Sequence, residues 1–182
     1  MNETKKKKTY HLVTAALMAA LMCILGPLSV PIGPIPVSLT ILVISFALYL
    51  LGAKWGTVSV LVYLLLGAIG LPVFSGFAGG LQKLAGPTGG YLIGFIFLAI
   101  VAGLFMEKSD YKIVWSVIGL VLGIAIAYLF GTAWFMFQTK SALSYALSVC
   151  VLPFIPFDAI KIILATVLGK SVRAALLKSH LI

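Results

Sequence analysis

Charged side chains are scarce in this chain of 182 residues, at 9%, while hydrophobic residues make up 62%. Soluble domains carry roughly a quarter charged residues, and the mean hydropathy of +1.19 is far from theirs. The polar stretches are also short, and none of them is long enough to form a soluble catalytic domain. The sequence therefore predicts an all-α integral membrane protein that forms a single membrane domain over residues 1–182.

Reactive groups are equally scarce. The two cysteines, Cys23 and Cys150, lie in separate apolar stretches without CxxC or Cys/His spacing, so neither a disulfide nor a metal site is predicted. The GxxxxGK[ST] spacing of a phosphate-binding loop is absent. No carboxylate pair and no nucleophile with a neighbouring base can be found. We therefore expect that the chain is not an enzyme, that it holds no metal or cofactor, and that it does not hydrolyse ATP.

Acidic residues are also few, with four Asp and Glu against thirteen Lys and Arg, which gives a net charge of +9. In a soluble protein such a charge could indicate nucleic-acid binding. In a membrane protein, basic residues flank the spans and fix their orientation. The run Lys5–Lys8 is also suited to anionic lipid headgroups. We therefore expect the lipid bilayer, and no nucleic acid, as the partner of these charges.

Six apolar segments are predicted to cross the membrane, after a polar cytoplasmic tail of residues 1–9. A further apolar stretch, residues 141–152, is too short to cross a hydrocarbon core about 30 Å thick and is predicted to be a half-inserted helix. Six spans place both termini in the cytoplasm together with ten of the thirteen basic residues, as the positive-inside rule requires. The predicted spans cover residues 10–27, 39–51, 57–69, 90–106, 113–130 and 156–177.

With this orientation, the three long connections all lie on the outer face, at residues 29–38, 70–90 and 131–157. They are apolar and rich in proline and glycine. Non-helical backbone of this kind is tolerated near the membrane only where protein covers it, and glycines let a ligand approach the backbone closely. Recognition is therefore predicted at the outer face.

Asp158 and Lys161 are charges set in strongly apolar sequence, where each must be paired or wetted by a cavity. A lysine in the first turn of a helix opposes the helix dipole and needs an anion. Two alternatives stay open: Asp158 is that anion in a purely structural pair, or a ligand carboxylate is held by Lys161 and the helix N-terminus. In the second case Asp158 accepts hydrogen bonds from ligand N–H groups. The ligand is then a small acid with an amide- or urea-like end and an apolar body, received by Phe74, Tyr91 and Trp134.

The first span carries small residues four positions apart, which let another helix approach closely. From spacing alone, that helix could belong to this chain or to a partner. The residues concerned are Ala15, Ala16, Ala19 and Ala20.

Two motifs, GPTGGYLIG at residues 86–94 and PFIPFDAIK at residues 153–161, resemble the biotin-specific substrate-binding S component of energy-coupling-factor (ECF) transporters, the BioY family. The proline-rich loop after the first span and the Gly-Leu-Pro at residues 70–72 fit as well. The resemblance implies an S-component-like six-helix bundle in the cell membrane of a prokaryote, with high-affinity capture of biotin from outside. It also implies docking to a transmembrane coupling (T) subunit that is powered by two ATPase subunits.

The resemblance implies roles for particular residues too. Asp158 and Lys161 are expected to contact biotin with Tyr91 nearby, and the alanine pairs of the first span are expected to face the coupling subunit. Relatives often have Arg or Asn in the glycine-rich loop, where this chain has Phe77, Ala78, Gln82 and Lys83. Gln82 or Lys83 is therefore expected to complete the site.

Two other function classes fit the sequence less well than this one. A stand-alone secondary carrier for a small carboxylate-bearing metabolite would be supported by an internal repeat with broken helices in both halves, and no repeat is visible. A membrane enzyme would need a reactive cluster, which the sequence does not show.

Overall fold

The computed structural model describes residues 3–179, with side chains from Lys8 onward. It is mostly helical, because a chain in lipid must satisfy its backbone hydrogen bonds within each segment. The one strand pair is a short antiparallel hairpin with Ser29 opposite Ser38. The elements are α1 (Glu3–Leu25), β1 (Ser29–Val30), β2 (Val37–Ser38), α2 (Thr40–Ala68), α3 (Leu81–Ala85), α4 (Gly89–Lys108), α5 (Ile113–Thr139), α6 (Leu143–Cys150) and α7 (Phe154–Lys178).

Within the described residues, five helical stretches are long and apolar enough to cross a membrane. One of them, α2, is folded back on itself. Gly52 has φ 70° and ψ −168°, which breaks the helix, and a Cβ placed on Gly56 would lie 2.6 Å from Cδ2 of Leu48. The arms 40–51 and 53–68 therefore run antiparallel, and α2 supplies two membrane segments.

Folding α2 back at Gly52 gives the bundle two distinct ends. The loop end carries the segments before and after α2, together with α3 and α6. The turn end carries the reversal at Gly52 and the turn at residues 109–112 between α4 and α5. Helix α2 is central, since it packs against α1, α4 and α7, while α4 also packs against α5. This arrangement confirms the predicted class, an all-α membrane bundle.

Two helix boundaries lie far from the predicted ones, and the other helix ends lie close to them. The polar residues 3–9, predicted as a tail, belong to α1; Lys and Glu are good helix formers and nothing in this stretch breaks a helix. Residues 1 and 2 of the predicted tail lie outside the described part. Helix α5 continues past Gly131 to Thr139, because Gly131 packs against the ring of Tyr91 and leaves the helix unbroken.

The segments at the loop end are packed on one another. Ile35 and Val37 of the β1–β2 hairpin are buried, and the amide of Gly76 donates to the carbonyl of Pro27 at 3.1 Å. The amide of Gly80 donates to Gly67 at the end of α2. These contacts form a cover over the loop end, as expected for apolar connections that fold back onto the protein.

Candidate binding site

A small, partly open cavity lies beneath this cover, between the loop-end parts of α2, α4, α5 and α7. It has about 50 Å³ of space for the centres of water molecules, which corresponds to a few waters. Its apolar wall is formed by Ile35, Pro36, Ile41, Leu92, Phe95 and Phe154. Its polar groups are Ser38, Thr40, Tyr63, Ser75, Thr88, Tyr91, Tyr128 and Lys161.

Lys161 is the one cation that lines this cavity among the described residues. It is 5% exposed, and its Nζ donates to Oδ1 of Asp158 at 2.7 Å. Asp158 is 2% exposed and does not line the cavity itself. The structural ion pair, one of the two predicted alternatives, is therefore formed within the chain.

Tyr128 completes this group from α5. Its hydroxyl donates to Oδ2 of Asp158 at 2.6 Å, so both carboxylate oxygens accept a hydrogen bond from the protein. Each oxygen retains a second lone pair. The carboxylate thus holds Lys161 on one side and Tyr128 on the other, and both of these side chains line the cavity.

The prediction that Lys161 lies in the first turn of its helix is wrong, because α7 begins at Phe154. Lys161 is therefore about two turns inside the helix, and the field of a helix end falls off within the first turn. Burial, rather than the dipole, is what makes Asp158 necessary to Lys161.

Tyr91, one of the residues predicted to receive the ligand, is buried and lines the cavity. Its hydroxyl donates to the carbonyl of Cys150 at the end of α6, and its ring stacks on Phe154 with centroids 6.0 Å apart. Tyr91 therefore forms part of the wall while it ties α4 to α6 and α7.

Phe74 and Trp134 support the wall and do not line it. The ring of Phe74 meets the ring of Tyr63 edge-on with centroids 5.5 Å apart, and Tyr63 is the residue that reaches the cavity. The indole N–H of Trp134 donates to the carbonyl of Gly86 at 2.9 Å. Both residues thus fix backbone or side chains around the cavity.

Gln82 and Lys83 lie in a second, more open hollow of about 370 Å³ at the loop end. Burial lowers the pKa of Lys83 from its usual value. The same hollow is lined by Pro34 and by Thr88, which also lines the small cavity. The two residues predicted to complete the site therefore lie outside the small cavity, beyond Thr88.

The glycines of the GPTGGY motif serve packing. A Cβ on Gly89 would strike the carbonyl of Leu84, and one on Gly90 would strike Phe130 and Trp134 of α5. Packing alone explains Gly89 and Gly90, without the predicted role of making room for a ligand. They let the start of α4 approach its neighbours.

Sequence reasoning missed Tyr128, Thr88 and Tyr63. A signal was present for Tyr128, since Tyr128 and Thr132 are polar residues four apart within the apolar sequence of α5, and polar groups inside a span mark functional positions. Thr88 carried no such signal, because threonine is common at the start of a helix.

The two alanine pairs of α1 face different ways. Ala15 and Ala19 are buried in the bundle, where they pack inside the chain. Ala16 and Ala20 are exposed. Only the second pair is free to meet a partner helix.

Comparison with known proteins gives a consistent result. The model of the BioY family matches residues 1–178. The chain is 41% identical to the biotin transporter BioY of Thermotoga maritima, over 87% of this chain and 93% of that protein. It is 37% identical to the biotin transporter BioY2 of Lactococcus lactis subsp. cremoris, over 93% of each.

A solved structure has the same fold. It is the crystal structure of the S-component for biotin from an ECF-type ABC transporter. The match covers 96% of this chain and 95% of the chain in that structure. The TM-score is 0.87 and the sequence identity is 36%. Sequence and structure thus agree with the resemblance carried by the two motifs, and the chain belongs to the BioY family.

Proposed function

We propose that this chain is the biotin-binding S component of an ECF-type transporter. It captures biotin at the outer face of a prokaryotic cell membrane, with both termini in the cytoplasm, and it uses no cofactor of its own. The observation that carries the proposal is the buried Lys161–Asp158 pair, of which Lys161 lines a small cavity at the loop end. This cavity lies in a bundle that shares its fold with a solved S-component for biotin.

The chemistry of the cavity suits biotin, a bicyclic urea that carries an aliphatic acid chain. An ammonium beside a carboxylate offers a donor and an acceptor side by side, which matches the C=O and N–H groups of a urea. The apolar wall suits the rings and the aliphatic chain, because small-molecule sites combine apolar walls with a few placed polar groups. Lys161 and Tyr91, which line the cavity, are proposed contacts, and Asp158, which is paired with Lys161, is proposed to reach the ligand once the cavity opens.

Entry of the ligand requires movement at the loop end. The space of about 50 Å³ is far below the roughly 300–1,000 Å³ of small-molecule sites. The cover formed by the β1–β2 hairpin and residues 70–80 lies between the cavity and the surface, so this cover must shift. The hollow lined by Gln82 and Lys83 adjoins the cavity at Thr88 and is the proposed approach to it.

The proposed partners are a transmembrane coupling subunit and two ATPase subunits, since the chain carries no phosphate-binding loop of its own. The exposed alanines Ala16 and Ala20 of α1 are the proposed contact with the coupling subunit, because small residues permit close helix approach in lipid.

The test is equilibrium binding of radiolabelled biotin to the purified chain in detergent. Saturable binding by the chain alone is the expected result, and absence of such binding would show that the proposal is wrong. Uptake into vesicles distinguishes the alternative of a stand-alone carrier. The chain is expected to transport biotin only when the coupling module and ATP are present.

A further inference from the structure

A hollow of about 600 Å³ opens at the turn end of the bundle, between the end of α4 and the start of α5. It shares no lining residue with the cavity at the loop end. Its apolar side is formed by Val101, Leu104 and Phe105 of α4. Neither the proposed biotin site nor the proposed contact with the coupling subunit uses this hollow.

Two lysines line the hollow, one on each side of the turn between α4 and α5. They are Lys108 and Lys112, and both are exposed. The salt bridge found in the described part of the chain joins Lys161 to Asp158, so neither lysine of the hollow has an acid at contact distance. Asp110 is the one acid in the lining. Two lysines against one aspartate leave the lining with a charge of +1, which suits a ligand with one negative charge.

The position of Lys112 makes an anion especially favourable here. Lys112 is the N-cap residue of α5, a helix of 27 residues, and the first turn of this helix carries neither an acidic residue nor a side-chain cap. A cation at the positive end of a helix is unfavourable, and the first amides of a helix have no acceptor within it. Lys108 lies in the last turn of α4, where the helix dipole favours a cation. The unbalanced positive potential is therefore on the α5 side of the hollow.

The apolar side of the hollow continues along the surface that faces lipid. Leu104 and Trp115 line the hollow and are exposed. Ile100 on α4 and Ile118 on α5 extend this exposed apolar surface away from the turn. Tryptophan is typical of the membrane–water interface, so the hollow lies at the level where a lipid headgroup joins its acyl chains. A soluble anion would use the lysines but not this apolar surface.

We propose that the hollow binds one anionic phospholipid, with its phosphate at Lys108 and Lys112 and an acyl chain along Leu104 and Trp115. Basic pockets between helices on the cytoplasmic side of a membrane bind such headgroups, and the turn end is the end that the positive-inside rule places in the cytoplasm. Phosphatidylglycerol fits the lining well, because it carries one negative charge and its headgroup hydroxyls can donate to Asp110. The site does not depend on biotin being the transported ligand.

The test is titration of the purified chain in detergent with phosphatidylglycerol, with bound lipid counted by native mass spectrometry. Lys108→Gln with Lys112→Gln is expected to weaken binding roughly tenfold or more, since each lysine near an anionic headgroup contributes substantially. The matched control is Lys54→Gln with Lys178→Gln, which removes the same charge from exposed positions at the same end but outside the hollow. It is expected to weaken binding less than about threefold.

Two further ligands identify what the hollow recognises. Phosphatidylcholine with the same acyl chains is expected to bind at least about tenfold more weakly than phosphatidylglycerol, because it carries no net charge. Glycerophosphoglycerol, the soluble headgroup without chains, is expected not to displace the lipid at equal concentration, because it cannot use the apolar surface.

Three results would overturn the proposal. Equal weakening by the two double variants would show diffuse attraction to a basic end, equal binding of phosphatidylcholine would show contact with acyl chains alone, and displacement by glycerophosphoglycerol would show a site for a soluble phosphodiester. If the variant of Lys108 and Lys112 does not elute as a folded species in gel filtration, Lys112→Gln is compared with Lys54→Gln in the same titration, and equal affinities of these two would overturn the site as well.

Discussion

Glu107 and Arg173 bind the backbone donor and the backbone acceptor that are left unpaired where α2 reverses. In a regular helix the amide of Ala53 would donate to the carbonyl of Tyr49, four residues earlier, and the break at Gly52 removes that bond. Oε1 of Glu107, in the last turn of α4, accepts from the Ala53 amide at 2.8 Å. Nη1 of Arg173, on α7, donates to the Tyr49 carbonyl at 2.9 Å. The reversal is therefore tied to both α4 and α7 at the turn end.

This arrangement explains why two charged side chains are placed at the turn end of an apolar protein. Unsatisfied backbone groups are costly near lipid, and a charged partner makes a stronger hydrogen bond than a neutral one. The Arg173 guanidinium also lies 3.4 Å from the centroid of the Tyr111 ring, so a cation–π contact holds it in place.

Replacing Glu107 with alanine should destabilise the bundle, because the Ala53 amide then loses its acceptor. We expect a loss of about 1–3 kcal/mol in the free energy of unfolding, measured as a lower melting temperature of the purified chain in detergent. Glu107→Gln keeps an acceptor and should lose less. Equal melting temperatures for Glu107→Ala and the wild-type chain would contradict the bridging role.

Gly52 itself should tolerate no side chain. Its φ of 70° disfavours other residues, and a Cβ there would strike Oε1 of Glu107. Gly52→Ala is expected to cost about 1–3 kcal/mol from the backbone conformation alone, which is essentially restricted to glycine, with the clash in addition. The matched control is Gly33→Ala, where a Cβ would meet nothing within 4 Å and where a change within about 0.5 kcal/mol is expected. Thermal unfolding of both variants checks this, and similar losses in the two would contradict it.

The roles of glycine show where sequence reasoning reaches its limit for the fold. The apolar segments and the turn near Gly52 could be predicted, because composition and the interface residues Lys54 and Trp55 mark them. Gly131 was predicted to begin a connection, yet α5 passes straight through it. A glycine that breaks a helix and one that admits a neighbouring ring are identical in sequence. What separates Gly52 from Gly131 is the tertiary contact at each.

The residues of the candidate site also include some that could be predicted from the sequence and some that could not. Asp158 and Lys161 could be singled out because charges are rare in apolar sequence. Their partner Tyr128 lies 30 positions away on another helix, and its polar position in α5 does not say which residue it contacts. The alanine spacing of α1 also gave two equivalent faces, and only the packing of the bundle decides that Ala15 and Ala19 face inward.

Single and double substitutions in the Asp158–Lys161 pair should separate its structural role from its role in binding. Lys161→Met leaves the buried Asp158 carboxylate uncompensated and should destabilise the fold by about 3–5 kcal/mol. The double variant Asp158→Asn with Lys161→Met removes both charges and should recover most of that stability.

Binding should not recover in the double variant. We expect both variants to lose about 2–5 kcal/mol of biotin binding, because the ligand loses its charged partners in a desolvated site. The measurements are melting temperature and equilibrium binding on the same preparations. A double variant with wild-type affinity would indicate that the pair is structural alone.

Tyr128→Phe should loosen the pair without removing it. The variant deletes the hydroxyl that donates to Oδ2 of Asp158 at 2.6 Å, and hydrogen bonds to charged groups contribute about 1.5–3 kcal/mol. We expect a lower melting temperature and a smaller loss of biotin affinity than Lys161→Met causes. Tyr145→Phe is the control, since Tyr145 is 51% exposed on α6, and it should leave both quantities unchanged. If the two tyrosine variants behave alike, Tyr128 does not hold Asp158 in the way described.

The exposed and buried alanines of α1 should respond differently to enlargement. Ala16→Leu with Ala20→Leu adds bulk to an exposed face, so the chain should fold and bind biotin normally but fail to co-purify with the proposed coupling module. Ala19→Leu adds the same bulk at a position that is 1% exposed, and overpacking there should cost about 1–3 kcal/mol of stability. Ala125→Leu, on the exposed side of α5, controls for bulk at the lipid-facing surface and should leave co-purification intact. Loss of co-purification with Ala125→Leu as well, or its persistence in the Ala16 and Ala20 variant, would place the contact with the coupling subunit on another surface of the bundle.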